Sequence, residues 1–294
     1  MNKDILILGS TGLLGSRLHD FLKLETSYKI MPHSRDKSNQ YFADVLNKND
    51  LHRLVFETNP DVIINLVAET NVDLCEQDPD IAYKKNVRVL EELKPFFIEK
   101  NPNCHLIHIS TDHIYDMDGL NDLDEIQIRN TYALSKLAGE LTIKNFVKDY
   151  TILRTNFFGK SNCKNRKSFT DWLSEANKNK IKIKIFDDVF FSPISIRTLC
   201  SLILYSIKNK ILGTINAGSS NGMSKAEFAR EFINCLGYDG ANMETVSLKN
   251  SGVLQAPRPL DMRMNTSSFQ ESYNRKPPTL LEEILLVASE YKEK

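Results

Sequence analysis

The sequence has no long hydrophobic run, no surplus of charge and no cysteine pair at metal-binding spacing. Its longer apolar stretches, residues 63–68 and 202–207, fall far short of the ~20 residues of a membrane-spanning helix, so we expect no membrane segment. Lys plus Arg and Asp plus Glu both number 38, which leaves no general attraction to nucleic acid. The chain enters a strand pattern at once, without the apolar core of a secretion signal.

The five cysteines are Cys75, Cys104, Cys163, Cys200 and Cys235. Their number is odd, they are scattered, and no C-x-x-C occurs, which argues against a disulfide framework or a thiolate metal cage. We therefore expect no metal, a reducing compartment and a cytoplasmic location.

Short β-rich runs alternate with amphipathic stretches through the first half of the chain. Strands are predicted at residues 4–9, 29–33, 61–67, 104–110 and 150–155, and helices at 12–24, 81–97, 130–146 and 194–207. This alternation predicts an α/β fold, a Rossmann-type doubly wound parallel sheet with helices on both faces.

The pattern changes after Gly159. We expect residues 1–159 to form a dinucleotide-binding domain and residues 160–294 to form mainly a smaller carboxyl-terminal substrate lobe, with the helix near 194–207 returning to the sheet. Residues 180–185 alternate Lys with Ile, which predicts an edge strand that buries Ile181, Ile183 and Ile185. Trp172 is predicted to lie in the core of the lobe.

A glycine motif, G-x-x-G-x-x-G, follows the first predicted strand directly. Gly9, Gly12 and Gly15 stand between that strand and the first helix. Glycine permits a tight turn and a close approach of a pyrophosphate, and the helix start offers free N–H groups and partial positive charge. The motif at this place predicts a dinucleotide site.

The second predicted strand ends in His33-Ser34-Arg35-Asp36-Lys37, where such sites read the adenosine ribose. Arg35 and Lys37 favour NADP, whose 2′-phosphate they would bind, whereas Asp36 leaves NAD open. A basic surface loop is the alternative interpretation.

Tyr132 and Lys136 form Y-x-x-x-K on a predicted helix, with both side chains on one face. Free tyrosine has a pKa near ~10, and a nearby ammonium lowers it, which makes the phenol a better proton donor. Thr111 stands at the end of the strand before this helix, where a hydroxyl can bind a substrate carbonyl. The three residues together predict carbonyl reduction.

Three histidines lie near that strand. His105 and His108 are separated by an odd number of residues, so on a strand they point to opposite faces and share no metal. His113 is either an acid or base for epimerisation beside the ketone or a polar substrate contact, and we favour the contact.

Further motifs run along nearly the whole chain. They are Asp44-Val45, residues 65–73 (NLVAETNVD), Lys85-Asn86-Val87, Ser110-Thr111-Asp112, residues 132–140 (YALSKLAGE), residues 153–157 (LRTNF), Ser192-Pro193, Arg258-Pro259 and residues 263–266 (RMNT). With the glycine turn, they resemble the extended short-chain dehydrogenase/reductases, and within these the dTDP-4-dehydrorhamnose reductase branch.

The resemblance implies a site. Thr111, Tyr132 and Lys136 are the catalytic residues, and Asn86 braces them. The implied cofactor contacts are Gly9, Thr11, Gly12, Leu13, Leu14, Gly15, Ser34, Arg35, Asp44, Val45, Val67, Ala68, Thr70, Tyr132 and Lys136. The implied substrate contacts are Thr70, Val72, Asp73, Asn86, Asp112, His113, Asn156, Phe157, Arg258 and Arg263.

The resemblance also implies an activity, the NAD(P)H-dependent reduction of the keto group of a nucleotide-activated 4-keto-6-deoxy sugar in deoxysugar or polysaccharide biosynthesis. An epimerase-reductase and a non-catalytic NADP-binding regulatory subunit are the alternatives, and a homodimer stays open. The sequence departs from the family pattern on the substrate side, where His113 replaces a tyrosine and Phe157 a tryptophan. Ala133 replaces the glycine that usually follows the catalytic tyrosine.

Overall fold

The computed structural model describes residues 2–163, 166–250 and 254–292. The first half alternates strands and helices as β1 (Asp4–Leu8), α1 (Leu13–Glu25), β2 (Lys29–Pro32), α2 (Lys48–Thr58), β3 (Val62–Asn65), α3 (Val72–Gln77), α4 (Pro79–Tyr83), a π-helical turn (Lys84–Arg88), α5 (Val89–Glu91), a second π-helical turn (Phe96–Lys100), β4 (His105–Ile109), α6 (Thr131–Phe146) and β5 (Tyr150–Arg154).

The second half has shorter strands. In order, the elements are β6 (Phe157–Phe158), α7 (Phe169–Lys178), β7 (Ile183–Phe186), β8 (Phe190–Phe191), β9 (Ile194–Ser195), α8 (Ile196–Asn209), β10 (Gly213–Asn216), β11 (Met223–Ser224), α9 (Lys225–Cys235), β12 (Met243–Val246), a 3₁₀ turn (Leu248–Asn250), β13 (Asp261–Met262), α10 (Ser267–Tyr273) and α11 (Leu280–Lys292).

The central sheet has six strands in the order β10-β5-β4-β3-β1-β2. The pairings from β2 through β5 are parallel, and in β1 Ile5 is paired with Ile30 of β2 on one side and with Val62 of β3 on the other. The chain therefore adds strands first on one side of β1 and then on the other, and ligands of doubly wound sheets bind beside such a switch point. The predicted parallel α/β fold is confirmed.

The structure divides the chain into two compact units. The sheet unit comprises Met1–Thr111, Asn130–Leu153 and Cys200–Thr214, and the lobe unit comprises Asp112–Arg129, Arg154–Leu199 and Ile215–Lys294. Each has its own apolar core. In the sheet unit the core lies between the strands and helices α2 and α6, and in the lobe unit it gathers Phe158, Phe228 and Phe232 around α9 and α11.

The single helix predicted over residues 81–97 is wrong in detail, because two π-helical turns interrupt it. The first turn carries Asn86, whose carbonyl oxygen would lie 2.5 Å from a Cβ at Gly139 of α6. The two elements thus approach more closely than any side chain at position 139 allows, and π-helical turns often mark functional sites.

Two expectations for the lobe unit need correction. The strand predicted at 180–185 begins at Ile183 and is paired in parallel with β12, so Ile181, before the strand, is 53% exposed rather than buried. Trp172 lies on α7 as predicted but is 38% exposed, where its ring stacks on Phe169 at a centroid distance of 5.8 Å.

Candidate active site

The turn between β1 and α1 needs glycine at two of its three positions for reasons internal to the chain. Gly9 has φ +84°, a conformation that residues with side chains rarely adopt. A Cβ at Gly15 would lie 2.3 Å from the carbonyl oxygen of Gly9, so any side chain there would force the helix away from the turn.

Gly12 is different, because none of the described residues requires it to be glycine. Its backbone is extended (φ −74°, ψ 175°), and a Cβ would meet only the carbonyl oxygen of Gly9, at an ordinary 3.4 Å. Gly12 is also the N-cap of α1, where no described side chain caps the helix and no acidic residue stands in the first turn. Space, free N–H groups and the helix dipole are what an oxygen of a pyrophosphate requires.

His33 supports this turn from the end of β2, which sequence reasoning missed. Its Nδ1 accepts a hydrogen bond from the backbone N–H of Gly9 at 3.2 Å, and its Nε2 lies 3.0 Å from the carbonyl oxygen of Ala43. Nε2 therefore carries the proton and the ring is neutral. Burial lowers the pKa of His33, consistent with that form.

The positively charged side chains of the loop after β2 are exposed to solvent. Arg35 and Lys37 are exposed, whereas the carboxylate of Asp36 accepts hydrogen bonds from the backbone N–H and the hydroxyl of Ser38, both at 2.9 Å. These bonds lower the pKa of Asp36 and hold its charge within its own loop. Of the neighbouring predicted contacts, Ser34 and Val45 are buried and Asp44 is exposed.

Tyr132 and Lys136 lie one turn apart on α6 and are both buried, at 8% and 2% exposure. The Nζ of Lys136 donates to the carbonyl oxygen of Ile109 at 2.7 Å, which brings it to the carboxyl end of β4, two residues before the buried Thr111. The ring of Tyr132 packs with Cys75 and Ala82, and Val72 packs against this cluster.

The surroundings of Lys136 act on its pKa in opposite directions. Burial lowers the pKa of Lys136 to about 8, although Glu140, one turn further along α6, acts in the opposite direction. Glu140 is itself buried and accepts a hydrogen bond from the hydroxyl of Ser110 at 2.5 Å.

Asn86 ties three parts of the sheet unit together. Its Oδ1 accepts from the backbone N–H of Glu69 at 2.8 Å, and its Nδ2 donates to the hydroxyl of Ser135 at 2.8 Å, which in turn donates to the carbonyl oxygen of Tyr132 at 2.8 Å. Asn86 thus fixes the chain after β3 to the turn of α6 that carries Tyr132. In this region the predicted contacts Val67 and Ala68 follow β3, Thr70 is exposed, and Asp73 lies in the first turn of α3.

A group of charged residues lies within the lobe unit. The carboxylate of Asp112 accepts from Nδ2 of Asn156 at 3.0 Å, and Asp112 also raises the pKa of Lys225, while burial, the larger effect, lowers it. Burial, together with the positive charges of Lys225 and Arg258, lowers the pKa of His113. The sequence analysis missed Lys225; the available signal was a lysine in the first turn of α9, where the helix dipole opposes a cation.

Arg154 and Arg263 are fully engaged inside the lobe unit. The buried Arg154 donates to the hydroxyl of Tyr115 at 2.8 Å and to the carbonyl oxygen of Leu123, which fixes residues 112–129. Arg263 forms a bidentate pair with Asp261 and lies over the ring of Phe190 at 4.9 Å. Phe157, in β6, is paired in parallel with Ile194.

The described residues show neither a metal cluster nor a membrane-spanning helix. No cluster of His, Cys, Asp or Glu there has the arrangement of a metal site. Over the same residues, no helix has both the length and the apolarity to cross a membrane.

A glycine turn at the switch point of a parallel sheet, with a buried Tyr-Lys pair beside the end of β4, defines a dinucleotide-binding reductase fold. The profile of the family described as RmlD substrate binding domain matches residues 2–292. The chain therefore belongs to this family, and the resemblance inferred from the motifs is confirmed.

Individual relatives agree. The chain is 26% identical over 291 residues, 92% of each chain, to the dTDP-4-dehydrorhamnose reductase of Escherichia coli K12. Among solved structures, the dTDP-4-dehydrorhamnose reductase of Bacillus anthracis in complex with NADP superposes with a TM-score of 0.89 at 25% identity, over 99% of this chain and 100% of that one. The dTDP-glucose 4,6-dehydratase of the same organism, in complex with NAD, shares the fold with a TM-score of 0.79 at 18% identity, over 99% of this chain and 96% of that one.

Proposed function

We propose that this protein reduces the keto group of a nucleotide-activated 4-keto-6-deoxy sugar with NADPH. The observation that carries the proposal is the buried Tyr132-Lys136 pair of α6, whose ammonium reaches the end of β4 beside Thr111. Membership of the family and the names of its curated relatives support the substrate class.

The chemistry requires a hydride, which NADPH supplies when bound. The negative charge that develops on the carbonyl oxygen is met by a proton from the hydroxyl of Tyr132. Lys136 favours the phenolate that Tyr132 becomes, since an opposite charge nearby lowers the pKa of a phenol. The hydroxyl of Thr111 donates a hydrogen bond to the same oxygen and orients the carbonyl.

The residues around the glycine turn fit a dinucleotide phosphate. Gly12 keeps space open at the uncapped start of α1, where Thr11, Leu13 and Leu14 flank it. Arg35, with Lys37 beside it, supports the preference for NADPH, because both side chains are exposed after β2, whereas the carboxylate of Asp36 accepts hydrogen bonds from Ser38. The NADP bound to the Bacillus anthracis relative supports this choice.

For the sugar nucleotide, we assign Asp112, Asn156 and Arg258 in the lobe unit, with Lys225 added to them. Arg263 stays among the predicted substrate contacts, with its Nε and Nη2 held by Asp261. His113 is assigned as a hydrogen-bonding contact and not as the base of an epimerase, because a general base works best with a pKa near the working pH and that of His113 is lowered. We place the reaction in the cytoplasm, which the odd number and scattered positions of the five cysteines support.

The test is incubation with a panel of nucleotide 4-keto-6-deoxy sugars and NADPH, followed at the nicotinamide absorbance band and by mass spectrometry. Tyr132→Phe should lower kcat by ~10²–10⁴ with unchanged circular dichroism and NADPH affinity. Tyr238→Phe, at an exposed position of the lobe unit, is the matched control and should retain full activity. A non-catalytic regulatory subunit would instead show no turnover in the wild type, and unchanged turnover in Tyr132→Phe would remove this residue from the mechanism.

A further inference from the structure

His108 lies on β4, is fully buried and contacts the side chain of Lys136. Its ring stands between Asn65 of β3 and Lys136 of α6, with Nδ1 3.1 Å from Nδ2 of Asn65 and Nε2 3.3 Å from Nζ of Lys136. Neither His108 nor Asn65 has a role in the mechanism under Proposed function.

Asn65 determines which nitrogen of His108 carries the proton. The Oδ1 of Asn65 accepts a hydrogen bond from the backbone N–H of Val67 at 3.2 Å, so its Nδ2, a donor, faces His108. Nδ1 of His108 must therefore accept. A neutral imidazole has one acceptor and one donor, so Nε2 carries the hydrogen and points it at Lys136.

An N–H group directed at Lys136 distinguishes the two charge states of that side chain. A lysine ammonium has three donors and no acceptor, so it gains no hydrogen bond from the N–H of His108. The neutral amine has a lone pair that accepts this hydrogen, while it still donates to the carbonyl oxygen of Ile109 at 2.7 Å.

We propose that Asn65 and His108 are positioning residues that fix an N–H donor against Lys136 and thereby shift the balance between its ammonium and neutral amine forms toward the amine, which sets the alkaline limit of the reductase. The kinetic part of this inference rests on the proposed function; the tautomer and the ionisation of Lys136 do not.

The remaining groups around Lys136 act in known directions. Glu140, which also lies on α6, favours the ammonium form of Lys136. Burial is the larger effect and favours the neutral form. Burial and the N–H group of His108 together fit a pKa of about 8 for Lys136. Burial and Lys136 both lower the pKa of His108 well below its usual value, so His108 stays neutral. From α3, Cys75 contacts the ring of Tyr132, and burial raises its pKa to about 11, so it brings no charge near neutral pH.

The first test reads the tautomer directly, without substrate, by ¹⁵N NMR of histidine-labelled protein. His108, assigned by its loss in His108→Gln, should show an unprotonated Nδ1 and a protonated Nε2. Asn65→Asp should exchange the two, because a carboxylate at position 65 accepts from Nδ1–H as well as from Val67. A protonated Nδ1 in the wild type, or an unchanged tautomer in Asn65→Asp, overturns the proposal.

The second test follows the ionisation of Lys136 by ¹³C NMR of its Cε, and the pH profile of kcat/KM. In His108→Gln the side-chain oxygen can accept from the ammonium, so both the titration and the alkaline break of the profile should move up by roughly one pH unit. A purely structural role would lower activity and leave the break where it was, and that result refutes the proposal. If no nucleotide keto sugar is turned over at all, the proposed function fails, while the two NMR experiments still decide this inference.

Discussion

The burial of Lys136 should make the stability of the protein depend on pH in a way that one substitution removes. The pKa of Lys136 falls from the ordinary 10.5 to about 8 in the native state, so the folded protein binds fewer protons than the unfolded chain between these values. A difference of about 2.5 pH units corresponds to a native-state cost of about 3 kcal/mol at pH 7. Stability should therefore rise with pH through this window, and the gain between pH 7 and pH 10 is about 2–3 kcal/mol.

Lys136→Met keeps the length and most of the volume of the side chain but cannot titrate. Urea unfolding followed by circular dichroism, at intervals from pH 7 to pH 10, gives the difference in unfolding free energy between the variant and the wild type. This difference should shift in favour of the wild type by about 2–3 kcal/mol as the pH rises. Lys144→Met, at an exposed position of the same helix, is the control and should give a constant difference. A constant difference for Lys136→Met as well would refute the reasoning.

Three further predictions concern Arg35, the glycine turn and Arg154. Arg35→Ala should weaken NADPH binding about 10-fold to 100-fold, because one charge-assisted phosphate contact is lost, and should leave NADH binding unchanged. Equal loss of affinity for both cofactors in fluorescence titrations would contradict the assignment of Arg35 to the 2′-phosphate. Gly12→Val should abolish dinucleotide binding in a folded protein, and normal NADPH binding by this variant would mean that the phosphate lies elsewhere. Gly15→Ala should instead lower the melting temperature, because its Cβ meets the carbonyl oxygen of Gly9 at 2.3 Å. Arg154→Met should destabilise the protein by about 1–3 kcal/mol, since it leaves the carbonyl oxygen of Leu123 without this donor, and an unchanged urea midpoint would show that the bond contributes little.

The sequence was a good guide wherever local pattern and fold agree. The buried run of β1, the glycine turn and the amphipathic stretch of α6 each carry their own signal, so their positions were predicted within one or two residues. The π-helical turn at Lys84–Arg88 carries none, because it arises from the close approach of Asn86 to Gly139, far along the chain.

The residues that sequence reasoning missed at the site share a physical cause. His33 and His108 were visible as residues, but the partners that fix their protons lie elsewhere in the chain: Gly9 in the turn after β1, and Asn65 in β3. The direction of a hydrogen bond between residues far apart in the chain leaves no periodic pattern in the sequence. The motifs could therefore identify the reacting groups, whereas the groups that hold them required the structure.

The interleaving of the two units has a consequence for anyone who builds chimeras of this family. The chain leaves the sheet unit directly after Thr111, and the lobe unit consists of three separate stretches, Asp112–Arg129, Arg154–Leu199 and Ile215–Lys294. No single crossover can exchange one lobe for another, because a cut anywhere in the chain mixes the two units. A transplant of substrate preference between relatives must carry all three stretches together, and the ribosome, likewise, cannot complete the sheet unit until residue 214 has been made.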